Sequence, residues 1–226
     1  FYADRNMEQG SGEILVTPDV AISLRRITRH CCERIAQSAF ELAQSRNKHL
    51  SIVHKANVLK IADGMFIEVC REVGKKFPEV RIDDFIVDAM AALLVRDPAQ
   101  FDVIVTTNMF GDILSDLTAE LSGSLGLAAS VNAGTQYAMA QAAHGSAPDI
   151  AGKNLANPYS LILSTALLLD WYAQKSGNHK YSTAAQAIRD AAGAAIRTKE
   201  VSKDIGGNLG TKEAGEALVK KLLELR

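Results

Sequence analysis

Apolar residues in the first half of the chain form short runs that are separated by longer segments with helical spacing. The short runs predict strands at Leu50–Val53, Arg81–Val87 and Phe101–Thr106. Segments with a 3.6-residue apolar period follow these runs and predict helices at Ile61–Lys75, Ala89–Arg96 and Asp112–Leu121. This alternation predicts an α/β fold, in which a layered sheet is covered by helices.

The beginning of the chain carries Gly10, Gly12 and Pro18 and little helical period, so residues 1–19 predict an extended arm or a hairpin. Thr17-Pro18-Asp19 has the composition of a helix start, and apolar spacing then predicts a helix from Val20 to Gln44. The chain begins at Phe1 without a methionine, and we expect further N-terminal sequence to precede it.

The composition changes after Ser122-Gly123-Ser124-Leu125-Gly126. Residues 128–156 are rich in Ala, Gly and Ser and predict loops with a short strand. Helical spacing then predicts helices at Pro158–Gln174, Tyr181–Arg197 and Lys212–Leu225. We therefore expect two domains, 1–122 and 123–226.

The composition excludes several classes of partner. The chain has 226 residues and a net charge of −1, so neither nucleic acid nor an anionic membrane is an expected partner. No apolar run approaches the roughly 20 residues that span a bilayer. The three cysteines, Cys31, Cys32 and Cys70, are an odd number without metal-ligand spacing. They predict reduced thiols and a cytoplasmic protein, with the mitochondrial matrix left open.

Polar residues follow each predicted strand, where open α/β sheets bind ligands. They are Lys55, Asp88, Asn108 and Asp112. A lone lysine is usually a surface residue, but a strand-end lysine that is partly desolvated has its pKa lowered toward the range of a general base. Together, carboxylates and an amine at one edge suit metal-assisted chemistry on an oxygenated substrate.

Asp112 and Asp116 are four residues apart, which places both carboxylates on one face of a helix. One interpretation is a helix cap and a solvated acid in the first turn. The other is a site for Mg²⁺ or Mn²⁺, since these ions prefer carboxylate oxygens.

The segment from His144 to Gly152 consists mainly of small residues, and such a loop lets backbone N–H groups approach a nucleotide closely. Asp149 can accept hydrogen bonds from ribose hydroxyls. Ordinary turn chemistry is the alternative interpretation. Neither GxGxxG after a strand nor GxxxxGK[ST] is present.

Three motifs together resemble the isocitrate/isopropylmalate dehydrogenase family of metal-dependent β-decarboxylating dehydrogenases. They are Val53-His54-Lys55-Ala56-Asn57-Val58-Leu59, Asn108-Met109-Phe110-Gly111-Asp112-Ile113-Leu114-Ser115-Asp116, and His144-Gly145-Ser146-Ala147-Pro148-Asp149-Ile150-Ala151-Gly152 with Ala156-Asn157-Pro158. Phe1-Tyr2-Ala3-Asp4 resembles the start of the family's arm segment.

The resemblance implies a homodimer with shared active sites. Asp112 and Asp116 would ligate Mg²⁺ or Mn²⁺, and Asp88 would join them from the neighbouring subunit. Lys55, also from the neighbour, would deprotonate the 2-hydroxyl group of the substrate. Tyr2 would protonate the enol that remains after CO₂ leaves.

The resemblance also implies a two-domain structure with a cofactor fold that lacks the usual dinucleotide fingerprint. Asn57 would lie near the nicotinamide. The adenosine half would be held by His144, Gly145, Ser146, Ala147, Pro148, Asp149, Ile150 and Asn157. Asp149 favours NAD over NADP, because a 2′-phosphate would be repelled by the carboxylate.

The implied substrate is a small 2-hydroxy-3-carboxy acid, isocitrate or 3-isopropylmalate. His54 and Asp63-Gly64 resemble the NAD-dependent isocitrate branch. Gln141 departs from the family, in which Glu commonly occupies that position, and the family's N-terminal third, which grips the substrate carboxylates, has no counterpart. The alternatives are a non-catalytic regulatory subunit and an assembly fragment of such a dehydrogenase.

Overall fold

A computed structural model of the chain describes residues 12–224. The described residues divide into two compact units, one ending at Leu114 and the other beginning at Ser115. The division falls inside one helix, α4 (Asn108–Leu121). The two predicted domains, 1–122 and 123–226, and the roles assigned to them stay a prediction.

The first unit has a hairpin followed by alternating helices and strands. Up to α4, its elements are β1 (Glu13–Thr17), β2 (Val20–Ser23), α1 (Arg29–Ser45), β3 (His49–His54), α2 (Ala62–Gly74), β4 (Arg81–Ile86), α3 (Val87–Arg96) and β5 (Val103–Thr106).

Strand β3 lies at the centre of a three-stranded parallel sheet with the order β4-β3-β5. Its residues Leu50, Ile52 and Val53 are fully buried, as expected of a strand covered on both faces. His54 is in register with Ile86, and Val53 with Thr106. The carboxyl ends of all three strands therefore meet at one edge, and the predicted α/β class is confirmed.

Helix α1 covers this sheet with an apolar face. Thr28 caps the helix by accepting a hydrogen bond from the Cys31 N–H at 3.3 Å. Cys32, Ala36 and Phe40 follow one another at intervals of four residues, and all three are buried. The rings of Phe40 and Phe77 stack with centroids 5.3 Å apart, which closes the core between α1 and the segment that follows α2.

The predicted helix from Val20 to Gln44 is wrong in its first part. Val20–Ser23 is a strand that pairs antiparallel with β1, and Pro18 and Asp19 lie in the hairpin turn. The β-branched Val20 and Ile22 suit a strand, and the helix begins only after the Thr28 cap. The predicted hairpin is present, but it extends beyond Asp19.

The second unit consists mainly of helices. Beyond α4 it contains β6 (Ala129–Ala133), β7 (Ala138–Ala142), α5 (Tyr159–Ser176), α6 (Lys180–Arg197) and α7 (Thr211–Glu224). Strands β6 and β7 form an antiparallel hairpin where only one short strand was predicted. Alanine and serine are weak strand formers, and tertiary hydrogen bonds fix the pair. Ser164 on α5 accepts from the Ser130 N–H at 2.9 Å and donates to the Gln141 carbonyl at 2.8 Å.

None of the helices within residues 12–224 combines the length and apolar character that crossing a bilayer requires.

Candidate active site

Lys55 is the first residue beyond β3, at the carboxyl edge of the parallel sheet. Its ammonium group donates to the Asp88 carboxylate at 2.5 Å, and Asp88 lies in the first turn of α3, next to the end of β4. This hydrogen bond, together with a backbone N–H, holds the pKa of Asp88 below its usual value. The sheet thus brings two of the predicted strand-end residues into direct contact.

Helix α4 begins at Asn108, two residues after β5, at the same edge of the sheet. Asp112 and Asp116 follow one turn apart, and both are exposed. Among residues 12–224, no three His, Cys, Asp or Glu side chains are grouped so as to hold a metal ion. A hard cation here would take two carboxylates from this helix and its remaining ligands from water, substrate or a second copy of the chain, which fits Mg²⁺ or Mn²⁺.

Asn57 lies two residues after Lys55 in the turn that leaves β3, and it is exposed. The turn is held by hydrogen bonds from Val58 N and Leu59 N to the Lys55 carbonyl at 2.9 and 2.8 Å. The other predicted cofactor residues belong to the second unit. Tyr2, the predicted proton donor, lies outside the described residues.

The second unit contains a cavity of about 740 Å³. Six of the predicted cofactor residues line it: His144, Gly145, Ser146, Ala147, Ile150 and Asn157. Pro148 and Asp149 are not part of this lining, although Asp149 is exposed in the short 3₁₀ turn beside it. The volume is within the range of small-molecule sites.

The walls of this cavity depend on unusual backbone positions. Ala147 has φ 41° and ψ 62°, in the left-handed region, and it leads directly into the 3₁₀ turn at Pro148–Ile150. A Cβ atom on Gly126 would lie 2.7 Å from Cβ of Asn157, so only glycine permits this close approach. The small residues of the predicted loop therefore shape the cavity as well as forming turns.

Asp204 connects the cavity walls. Its Oδ2 accepts hydrogen bonds from the Ser124 hydroxyl at 2.6 Å and from the Asn157 amide at 2.8 Å. Partial burial raises the pKa of Asp204, but these bonds outweigh it and hold the pKa below its usual value. The Ser202 hydroxyl also lowers this pKa, although it forms no hydrogen bond of normal geometry.

Asn157 is thereby fixed in orientation. Its amide N–H donates to Asp204, and its carbonyl oxygen accepts from the Tyr159 N–H at 2.9 Å. An amide group has two N–H donors and two lone pairs, so one of each remains for a ligand. On the neighbouring segment, Asn154 accepts from the Lys212 N–H at 2.9 Å, which attaches the loop to the start of α7.

Sequence reasoning missed four residues that build these sites: Arg25, Asp63, Ser124 and Asp204. The sequence marks Asp63 only as a feature of one family branch, yet Asp63 is fully buried and accepts a hydrogen bond from the Lys55 N–H at 2.7 Å. Asp204 precedes the Gly206-Gly207 pair, which suggested a turn and nothing more. A charged residue beside a turn signal gave no indication of partners 47 and 80 residues away.

Comparison with known proteins decides the family. A family model described as isocitrate/isopropylmalate dehydrogenase matches residues 1–218. The chain belongs to this family. The predicted resemblance is therefore confirmed.

The relatives of this family member carry different substrate names. It is 48% identical over 202 residues to homoisocitrate dehydrogenase of Methanocaldococcus jannaschii, covering 89% of this chain and 56% of that protein. It is 46% identical over 196 residues to 3-isopropylmalate dehydrogenase of Archaeoglobus fulgidus, covering 86% of this chain and 58% of that protein. The shared family is thus clear, whereas the names do not agree on one substrate.

Solved structures agree with the fold of this family member. The crystal structure of isocitrate dehydrogenase from Methylococcus capsulatus matches with a TM-score of 0.83 and 40% identity, covering 93% of this chain and 62% of that one. Across these three matches the chain spans 56–62% of the length of its relatives.

We predict that Asp204 stabilises the second unit in a pH-dependent way. Because its folded-state pKa is lowered, the stabilisation is complete above the unfolded-state pKa of about 3.9 and is lost as pH falls through the lower folded-state pKa. Asp204→Asn should lower the urea midpoint at pH 7, and the difference from the wild type should shrink by pH 3.

The matched control is Asp190→Asn, since Asp190 is an exposed aspartate of the same unit that accepts from the neutral Gln186 amide at 2.9 Å. It should shift the midpoint little at either pH. A difference between wild type and Asp204→Asn that stays constant from pH 7 to pH 3 would contradict the assignment.

Proposed function

We propose that the protein to which this chain belongs is an NAD-dependent, Mg²⁺- or Mn²⁺-dependent dehydrogenase that oxidises and decarboxylates a 2-hydroxy-3-carboxy acid. Isocitrate is the first candidate substrate, and 3-isopropylmalate is the second. The observation that carries the proposal is the shared sheet edge at which Lys55 meets Asp88 and α4 begins. Family membership supports the same reaction class.

Asp112 and Asp116 are the residues that would hold the metal, because they present two hard oxygen ligands one turn apart on α4. When bound, the ion would make the hydroxyl group of the substrate more acidic and would stabilise the negative charge that develops as CO₂ leaves. Asp88 of a second copy would complete the carboxylate set, which makes the proposed enzyme a homodimer.

Lys55 of that second copy would accept the proton of the substrate hydroxyl group, and Tyr2 would deliver a proton to the enol carbon. The bond between Lys55 and Asp88 supports the shared location of the amine and the carboxylate, and the role of base would require the neutral form of Lys55. In this role Lys55 acts as base and Tyr2 as acid.

The cavity of the second unit would hold the adenosine half of NAD. When bound there, NAD would supply the hydride acceptor for the oxidation. The chain's own contribution is a wall in which Gly126 and Asp204 fix Asn157 and in which residues of the loop from His144 to Ile150 line the cavity. Asn57 would contact the nicotinamide half.

We also propose a cytoplasmic location. Cys31 is exposed, Cys32 and Cys70 are buried, and within residues 12–224 they form no disulfide.

The metal assignment predicts that Asp112→Asn weakens Mn²⁺ binding by at least about tenfold, because it replaces an anionic oxygen ligand with a neutral one. Calorimetry on the full-length protein measures the affinity. Glu120→Gln is the control, since Glu120 is exposed on the same helix one turn beyond Asp116. Equal Mn²⁺ affinity in the wild type and Asp112→Asn would reject the site.

The cofactor assignment predicts that the full-length enzyme prefers NAD, as judged by kcat/KM for NAD against NADP. Asp149 is exposed beside the cavity and would repel a 2′-phosphate, while Ile150, which lines it, offers no donor. The double change Asp149→Lys with Ile150→Tyr should move the ratio toward NADP.

Lys153 is an exposed cation four residues after Asp149. Because its ammonium group could bind the 2′-phosphate of NADP in spite of Asp149, Lys153→Met is the control. It should leave the preference for NAD unchanged. The assignment is wrong if the unmodified enzyme already favours NADP, or if the double change leaves the ratio where it was.

A further inference from the structure

Asp63 is a fully buried carboxylate in the first turn of α2. Both of its oxygens are engaged: Oδ1 with the Arg25 guanidinium and Oδ2 with the Lys55 backbone N–H at 2.7 Å. A buried charge without partners is strongly unfavourable, so Asp63 can be buried only because these two donors compensate its charge.

Arg25 adds a further segment to this cluster. Its guanidinium lies over the Phe110 ring, 5.3 Å from the centroid, and its side chain is 28% exposed. Phe110 belongs to the first turn of α4, two residues before Asp112. Asp63 thus connects the segment before α1, the end of β3 and, through Arg25, the start of α4.

The hydrogen bond from the Lys55 N–H to Asp63 lies just beyond the point where backbone pairing of β3 with its neighbouring strands ends. The ladder of β3 ends at His54 with β4 and at Val53 with β5. Lys55 is therefore the first residue without a ladder partner, and Asp63 supplies the acceptor that its N–H would otherwise lack. Both peptide groups of Lys55 are therefore fixed, because the Lys55 carbonyl accepts the hydrogen bonds that form the following turn.

We propose that Asp63 is a positioning residue for Lys55: its buried carboxylate, itself held by Arg25, fixes the Lys55 backbone so that the amine reaches the partner's substrate. The inference rests on the proposed function, in which Lys55 is the base. Asp63 itself touches no substrate in this account, and a displaced base lowers the rate of the chemical step far more than substrate binding.

The sheet contains a matched control at its opposite edge. Asp102 precedes β5, and its side chain is 5% exposed. It accepts from Arg46 Nε at 2.8 Å and from the Asn47 backbone N–H at 2.9 Å. Asp102 thus repeats the pattern of an arginine and a backbone N–H on one buried carboxylate, away from Lys55.

The experiment compares Asp63→Asn with Asp102→Asn in the full-length enzyme. An asparagine keeps one acceptor oxygen and presents an NH₂ group in place of the other, so one of the two donors loses its partner in either orientation. We expect Asp63→Asn to lower kcat by about 10- to 100-fold with the KM for NAD unchanged, and Asp102→Asn to change kcat less than about twofold.

Deuterium exchange provides a readout that is independent of activity. Exchange of the Lys55 amide should accelerate in Asp63→Leu, which removes both acceptor oxygens, and stay at the wild-type rate in Asp102→Leu. Equal losses of kcat in the two asparagine variants, or an unchanged Lys55 amide in Asp63→Leu, would show that Asp63 serves stability alone and would overturn the inference.

Lys55→Met separates the inference from the proposed function. If Lys55→Met retains kcat, Lys55 is not the base, and the proposed function fails at that step. If Lys55→Met abolishes turnover while the two asparagine variants behave alike, only the positioning inference fails. Should Asp63→Asn not fold, exchange in the wild type decides: the inference requires the Lys55 amide to be protected like a strand amide, and rapid exchange would refute it.

Discussion

Parallel pairing of β3 with both β4 and β5 is the constraint on which the first unit depends. Parallel strands end at the same edge, so Lys55, Asp88 and the start of α4 meet there although they lie far apart in sequence. The register also ends the hydrogen-bond ladder just before Lys55. A side-chain acceptor must then replace the ladder, and Asp63 provides it from α2.

The second unit uses a carboxylate in a similar way. One carboxylate oxygen of Asp204 accepts hydrogen bonds from the Ser124 hydroxyl and the Asn157 amide. Gly126 allows the side chain of Asn157 to lie close to the backbone. In both units, an acidic side chain that orients other groups stabilises a segment without regular secondary structure. The residues that would bind ligands are thus oriented by residues that need not touch them.

The order of helices and strands was readable from the sequence because apolar spacing is a local property. The strand-end positions of Lys55 and Asp88 followed from the same pattern. The helix start at Thr17 was misplaced, because a Thr-Pro-Asp turn signal fits a hairpin as well as a helix. The pairs Arg25–Asp63 and Asn157–Asp204 join residues that are 38 and 47 positions apart. The spacing of apolar residues within a single helix or strand cannot predict such pairs.

The proposed function requires that two copies of the chain share each active site, with Lys55 supplied by one copy and Asp112 by the other. Hybrid dimers of full-length Lys55→Met and Asp112→Asn chains test it directly. Each variant alone should be inactive, whereas the hybrid contains one site with both residues intact and should recover about half of the activity per dimer that the wild type shows. No recovery in verified hybrids would mean that each site is built from a single chain.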